Sequence, residues 1–534
     1  MKNLNILALM CSFIGLAACS SGDGNATGNA DSSAIQINLK ALKHIGSVDE
    51  RYQSYNVEMV EVAGGEFWKP YHLMDSLPSA ASMSSYDVSQ KNNELYRQLK
   101  PIDLTDKRLM NLAKGLAPAY VRVSGTWANA IYFQDNDQSQ MKKAPAGFVN
   151  VVTQRQWKGV IDFVKATNSK LVTSFAVSNG VRDAKGVWTP KEAQKIADYT
   201  KSAGGEIAAA ELFNEPTMPT AGGEISKTYN GNNFAKDIAV FTAWSKKSVP
   251  NMLLLGPGSV LEGLPGVSLT KMGMTYLSTD EMMSAEPKPQ FDVFTYHFYG
   301  AASIRMIRSG PFSIKAENGL DASWLRRTDT VADYYIGLRD KYNPGKPVWI
   351  TETGEAAGGG DPFSATYLDC FRYLYQLGSL AKKGVKVIMH NTLAASEYSL
   401  IDQDTHLPKP NYWAALLWSK LMGTEVYEAG KESPGVYVFA HNMKGHNGGI
   451  TLLVINTNKH TAAVQMTAKA EQYTLTSAKL EGTTVQLNGQ ELKLDENDEL
   501  PVLKGKPINS GQVTVPATSI SFFAIADAGI KNPR

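Results

Sequence analysis

Ala210-Glu211-Leu212-Phe213-Asn214-Glu215-Pro216-Thr217-Met218-Pro219 is the stretch from which the fold is read. An apolar run, Ile207-Ala208-Ala209-Ala210, feeds it, and the proline after Glu215 ends any strand. A carboxylate at the tip of a buried strand is costly unless it is paired or used. Barrel enzymes place their chemistry at the C-terminal tips of parallel strands. The plainer alternative is a strand-ending turn with a solvated glutamate. A second stretch, Pro347-Val348-Trp349-Ile350-Thr351-Glu352-Thr353-Gly354, repeats the design and leads to Gly358-Gly359-Gly360. Two carboxylates at two strand tips, 352 − 215 = 137 positions apart, suggest a pair. One would be a protonated acid and the other an ionised nucleophile, the division of labour of glycoside hydrolysis.

Working outward, strand and helix patterns alternate on both sides of these stretches. Strands are expected at 52–62, 119–123, 170–175, 207–213, 252–256, 291–297, 347–351 and 386–390. Helices are expected at 104–116, 156–166, 190–203, 233–247, 328–342, 365–382 and 411–421. Eight such units close into a (β/α)8 TIM barrel, with Glu215 ending strand four and Glu352 ending strand seven. After Thr424 short strands and turn residues take over, Asn488-Gly489 among them, which predicts a C-terminal β-sandwich over 425–534. The barrel is assigned 35–424, and residues 35–45 are candidates for pairing with the sandwich.

The N-terminus reads as an export signal over 1–18, with Lys2 before an apolar core from Ile6 to Leu16. Leu16-Ala17-Ala18-Cys19 resembles a bacterial lipobox, which makes Cys19 the lipidation site and 19–34 a flexible tether. The expected address is the cell envelope, anchored by lipid to the outer membrane, because Ser20 follows the cysteine and no aspartate does. Of three cysteines, Cys11 leaves with the signal and Cys19 is acylated, so Cys370 has no disulfide partner. A net charge of +2 supplies no global field for nucleic acid. No phosphate-binding loop and no His/Cys cluster with metal-ligand spacing is present, so neither cofactor nor metal is expected.

Several motifs together resemble the heparanase and β-glucuronidase family, family 79 of the glycoside hydrolases. They are Glu211-Leu212-Phe213-Asn214-Glu215-Pro216, Glu352-Thr353 with the triple glycine, Tyr398-Ser399-Leu400-Ile401-Asp402, Pro410-Asn411-Tyr412-Trp413, Leu487-Asn488-Gly489 and Ser519-Ile520-Ser521-Phe522-Phe523. The resemblance implies that Glu215 is the acid/base, Glu352 the nucleophile and Asn214 a partner of the sugar 2-hydroxyl. It implies that the Gly358 and Gly359 N–H groups, with the Tyr398 hydroxyl, hold the C5 carboxylate of a uronic acid. Glu58 would bond sugar hydroxyls, and His297 or Tyr299 would touch Glu352. Phe298 and Ser124-Gly125-Thr126-Trp127 depart from the family pattern. The implied substrate is a glucuronide or a uronic-acid-containing glycan. The rivals are a barrel glycosidase for neutral sugars and an inactive carbohydrate-binding surface lipoprotein. Glu211 reads equally as a structural ion pair or as a site residue, Glu355 as solvated, and His390 as a strand cap.

Overall fold

A computed structural model describes residues 34–77, 94–222, 225–268, 270, 275–430 and 433–530. The signal, Cys19 and nearly all of the tether lie outside the described residues. Eight parallel strands close a barrel: β1 (Gln53–Glu58), β2 (Ala119–Ser124), β3 (Ser169–Ser174), β4 (Ile207–Glu211), β5 (Leu253–Ser259), β6 (Val293–Ala302), β7 (Val348–Ala357) and β8 (Val387–His390). A main helix follows each, with short extra helices after β1 and β6: α1 (Lys107–Gly115), α2 (Gln154–Ala166), α3 (Lys191–Ser202), α4 (Gly231–Ser248), α5 (Thr279–Ser284), α6 (Arg327–Tyr342), α7 (Tyr367–Lys382) and α8 (Pro410–Leu421). Side-chain caps explain several starts: Asp106 accepts from the Leu109 N–H and Thr153 from the Gln156 N–H.

The barrel interior is layered by the two-residue period of its strands. Tyr120, Val172, Ala209, Leu255, Val293, Trp349, Val387 and Met389 pack as an apolar floor. Two residues further along stand Arg122, Ser174, Glu211, Thr295 and Thr351 on their strands and Asn391 just past β8, all buried. The change from apolar floor to polar layer occurs in one step of the pleat, at the end where the strands terminate.

Three sequence expectations shift. Residues 52–62 are not one strand: β1 stops at Glu58, and Met59–Ala63 is a short helix whose Glu61 accepts the Glu58 N–H at 2.7 Å. β4 ends at Glu211, so Glu215 lies four residues past its strand, at φ 55°. β7 runs on through Glu352 to Ala357, and the pairing slips between Tyr296/Ile350 and His297/Glu352. That bulge lets Thr351 and Glu352 both serve the interior, which strict alternation forbids.

The β-sandwich begins with Met422–Glu428, directly after α8 and three residues ahead of the expected boundary. Its larger sheet runs Lys43–Ser47, Met422–Glu428, Val436–Met443, Ile450–Asn456, Ser519–Ile525, Ala470–Thr476, Gln486–Leu487, Gln490–Glu491. The smaller sheet holds Ile35–Gln36, Ala462–Met466 and Gly511–Val515. Chain from before the barrel thus contributes a strand to each sheet. The sandwich packs on α7: the rings of Tyr437 and Phe439 meet Tyr375, and Phe439 covers Gly378 so closely that a Cβ there would lie 2.3 Å from its ring.

Candidate active site

Arg122 organises the polar layer. Its Nη2 donates to Glu211 Oε2 at 2.8 Å and to Asn214 Oδ1 at 2.7 Å, and its Nη1 to Glu352 Oε2 at 2.9 Å. The guanidinium is fully buried. Burial would lower its pKa, but Glu211 and Glu352 more than offset this and raise it. Glu211 also accepts from Thr295 at 2.9 Å and Thr351 at 2.6 Å. Burial would raise its pKa; Arg122 and His297 reverse that and hold it far below the carboxylate range. The pair is therefore ionised, and breaking such a buried pair costs about 3–5 kcal/mol. Of the two readings of Glu211, the structural ion pair is the one found. Its partner Arg122 was not anticipated as a site residue.

Glu215, Glu352 and His297 come together above this layer. Their nearest donor atoms all lie within 4.8 Å of one another. An oxygen of Glu215 and one of Glu352 therefore approach within 4.8 Å, which is compatible with the short separation, about 5–5.5 Å between carboxyl groups, at which one carboxylate attacks directly. Glu352 Oε1 accepts from the Tyr299 hydroxyl at 2.7 Å, so Glu352 is held from two sides, by a phenol and a guanidinium. The expected contact to Glu352 is thus made by Tyr299, while His297 Nδ1 donates to Glu215 Oε1 at 3.0 Å and lies 3.7 Å from Glu352. Burial would lower the His297 pKa, but Glu352, Glu211 and Glu215 raise it to about 9. Burial first, then the Glu352 charge, raise the pKa of Glu215. The two carboxyl groups therefore differ in their tasks, one favoured as an acid and the other clamped between donors. Glu215, His297 and Glu352 also have the spacing of a cation site. Arg122 and Tyr299 already occupy Glu352, however, and a guanidinium at 2.9 Å opposes a second cation.

The remaining expected residues gather around a cavity of about 320 Å³ that Glu58, Glu215, Tyr299, Glu352, Gly358, Asn391 and Tyr398 help to line, a size within the range of small-molecule sites. Asn214 sits beneath it. Asn129 pins its backbone in both directions, at 2.9 and 3.0 Å, and its own Nδ2 is buried without a protein partner among the described residues. Glu58 Oε1 accepts from Asn391 Nδ2 at 3.0 Å, while Oε2 has no partner among the described residues. Burial and Glu352 raise its pKa well above the usual carboxylate range, which favours its protonated form. Gly125 makes the space: at φ 91° it has no Cβ, and one would stand 1.5 Å from Glu58 Oε2. Asn391 Nδ2 also lies 2.9 Å from the Tyr299 hydroxyl and 3.1 Å from that of Tyr398, linking three expected site residues.

The triple glycine behaves unevenly. Gly358, Gly359 and Gly360 all have positive φ, at 85°, 88° and 79°. Gly358 forms part of the cavity wall, but Gly359 does not; a Cβ on it would meet Arg305 and Trp68 at 2.9 Å. The Arg305 guanidinium grips the loop from behind, donating to the carbonyls of Gly358, at 2.9 Å, and Gly360, at 2.8 Å, and stacking over Tyr71. Glu355 is fully buried, contrary to the solvated expectation: it accepts the Asp361 N–H at 2.9 Å and closes the loop from below. His390 lies 2.7 Å from the Tyr398 carbonyl, so it positions that residue's loop and does more than cap β8.

Comparison with known proteins agrees with this geometry. The pattern described as "Glycosyl hydrolase family 79, N-terminal domain" matches residues 90–378. The chain is 27% identical to heparanase of Bos taurus over 489 residues, covering 80% of this chain and 85% of that one. It is 26% identical to hyaluronoglucuronidase of Hirudo nipponia, with 80% and 91% covered. It is 25% identical to baicalin-beta-D-glucuronidase of Scutellaria baicalensis, with 79% and 83% covered. Among solved structures, a 4-O-alpha-L-rhamnosyl-beta-D-glucuronidase from Fusarium oxysporum superposes with TM-score 0.58 at 13% identity, covering 92% of this chain and all of that one. An alpha-L-arabinofuranosidase from Thermotoga maritima gives 0.59 at 13%, with 92% and 99% covered. At such identities these two establish the shared fold alone. With more than half of its length matched by the family pattern, the chain belongs to glycosyl hydrolase family 79.

Proposed function

We propose that this protein is a retaining β-glucuronidase working by double displacement. The observation that carries the reading is the close pair Glu215 and Glu352, with the pKa of Glu215 raised and Glu352 held by Arg122 and Tyr299. In the first step Glu352 attacks the anomeric carbon, and the proton on Glu215 passes to the leaving oxygen as the glycosidic bond breaks. In the second, Glu215, now a carboxylate beside His297, takes a proton from water, and that water displaces Glu352. The His297 Nδ1–H at 3.0 Å steadies the charge that Glu215 carries between the steps. Asn214 Nδ2, without a partner among the described residues, and Glu58, with its pKa raised by burial, are the groups assigned to sugar hydroxyls.

The uronic-acid assignment rests on the Gly358 and Tyr398 side of the cavity and on the activities named for the relatives. Backbone N–H donors at glycines of positive φ approach a carboxylate closely, and charge-assisted bonds exceed neutral ones. The test is the ratio of kcat/KM for an aryl β-glucuronide over the matching β-glucoside. We expect a preference of at least about a hundredfold. Equal rates would defeat the uronic-acid reading and leave a barrel glycosidase for neutral sugars.

We also propose that Cys19 is lipidated and anchors the enzyme in the cell envelope, at the outer membrane. The support is the Leu16-Ala17-Ala18-Cys19 sequence and the polar run after it. Cys19→Ala should move the protein from the membrane to the soluble fraction; unchanged membrane retention would overturn the anchor.

A further inference from the structure

Tyr398, the side chain assigned to the substrate carboxylate, sits on the loop after β8. The loop doubles back there. The Ser399 N–H donates to the Ser396 carbonyl at 3.4 Å, which makes Glu397 and Tyr398 the central residues of a turn. Ser396 enters that turn at φ 70°, a left-handed conformation that costs free energy for a residue with a Cβ. Lys409 holds the turn from below. It stands at the start of α8, where short polar or acidic side chains are favoured and a cation opposes the helix macrodipole. Half-buried, it reaches back under the turn. Its ammonium donates to the Ser396 carbonyl at 2.8 Å, the Glu397 carbonyl at 3.0 Å and the Ser399 hydroxyl oxygen at 2.8 Å. A lysine ammonium has three N–H donors, and all three are used on residues that flank Tyr398. None of the acceptors is a carboxylate, so these contacts place a backbone rather than neutralise a charge. Burial draws the Lys409 pKa down to about 8 against the pull of Glu397, Asp402 and Asp404, which leaves it charged at neutral pH.

The same turn is joined to the triple glycine. The Glu397 N–H donates to the Gly359 carbonyl at 3.0 Å. The Glu397 carboxylate accepts the Tyr71 N–H at 3.0 Å and lies 3.8 Å from Arg305, which holds the carbonyls of Gly358 and Gly360. Two cations outside the cavity thus fix the backbones of the two loops that bring Gly358 and Tyr398 to its wall. Above the turn, the Tyr398 ring stacks on that of Tyr299, with centroids 6.2 Å apart, and its hydroxyl lies 3.1 Å from Asn391 Nδ2. A shift of the turn moves that hydroxyl relative to Gly358, and a hydrogen bond weakens steeply once its geometry is lost.

We infer that Lys409 is a specificity-determining positioning residue: by anchoring the 396–399 turn it holds the Tyr398 hydroxyl where, with Gly358, it meets the carboxylate of a uronic acid. This inference rests on the uronic-acid reading. The carboxylate is remote from the bond that breaks, so its contacts act alike in the ground and transition states. Weakening them raises KM and spares kcat, whereas a general loosening of the site costs kcat as well. The test is steady-state kinetics of Lys409→Met on an aryl β-glucuronide. KM should rise at least about tenfold, the worth of one hydrogen bond to a charged group, while kcat stays within about threefold of wild type. A smaller rise in KM, or a larger fall in kcat, would overturn the inference. If Lys409→Met does not fold, Lys409→Arg decides. It keeps the charge, but a planar fork does not converge on three acceptors, so KM should still rise at least about threefold, and a smaller rise overturns the inference. The matching aryl β-glucoside separates the two levels. A wild type with equal kcat/KM on both sugars removes the uronic-acid reading and this inference with it. A wild type that prefers the glucuronide, with KM unmoved in Lys409→Met, removes this inference alone.

Discussion

At the residue scale, the site is a set of charges made to differ by their neighbours. Glu215 and Glu352 are the same side chain, yet one is pushed toward its acid form and the other is bonded to a guanidinium and a phenol. Glu352→Gln should therefore lose turnover while its melting temperature stays within a few degrees of wild type. In Glu215→Ala, azide should rescue an activated aryl glucuronide and give a glycosyl azide of retained configuration; absence of rescue there would deny Glu215 the acid/base role. Both carboxylates were legible because each follows a short apolar run, where an unused charge is expensive. The same argument applied to Ala119-Tyr120-Val121-Arg122-Val123 would have found Arg122, a cation inside a buried strand. Asn129 and Asn391 gave no such signal. An asparagine in a loop is ordinary, and their partners are 85 residues away, Asn214, and 333 residues away, Glu58.

At the scale of elements, irregularities position the site. The β7 bulge turns Glu352 inward, and Gly125 clears a place for Glu58. Neither was legible: a one-residue slip leaves no trace in an apolar strand pattern, and a single Ser-Gly-Thr reads as a loop. The expected strand 52–62 failed because Val57, Val60 and Val62 suit a strand, while the Glu61 cap to the Glu58 N–H turns the chain into a helix. That cap has a consequence for stability. Burial raises Glu61 to about 8. A carboxyl whose folded pKa lies above its unfolded one binds more protons when folded, so stability falls as pH rises from about 4.5 to about 8. Glu58 and Glu355, also raised by burial, act in the same direction. Thermal melts should show a lower melting temperature at pH 8.5 than at pH 5.5. Glu61→Gln, which keeps the acceptor, should reduce that difference. A melting temperature that climbs with pH across this range would contradict the assignment.

At the scale of the whole molecule, the barrel was readable from eight strand patterns because parallel strands buried on both faces are nearly continuous apolar runs. The sandwich was readable as a change of rhythm after Thr424. Which chain completes it was less so: Lys43–Ser47 alternates weakly, and only its pairing with Met422–Glu428 defines it as a strand. This closure ties the start of the barrel to the sandwich, and the sandwich in turn supports α7 behind β7, the strand that carries Glu352. The whole arrangement has one chemical purpose in this account: to hold two carboxylates close enough for direct attack on an anomeric carbon. The measurement that tests this most directly is proton NMR of an aryl β-glucuronide during its first minutes of hydrolysis. Retention predicts that β-glucuronic acid appears first and only later mutarotates to the α anomer. First appearance of the α anomer would contradict the account.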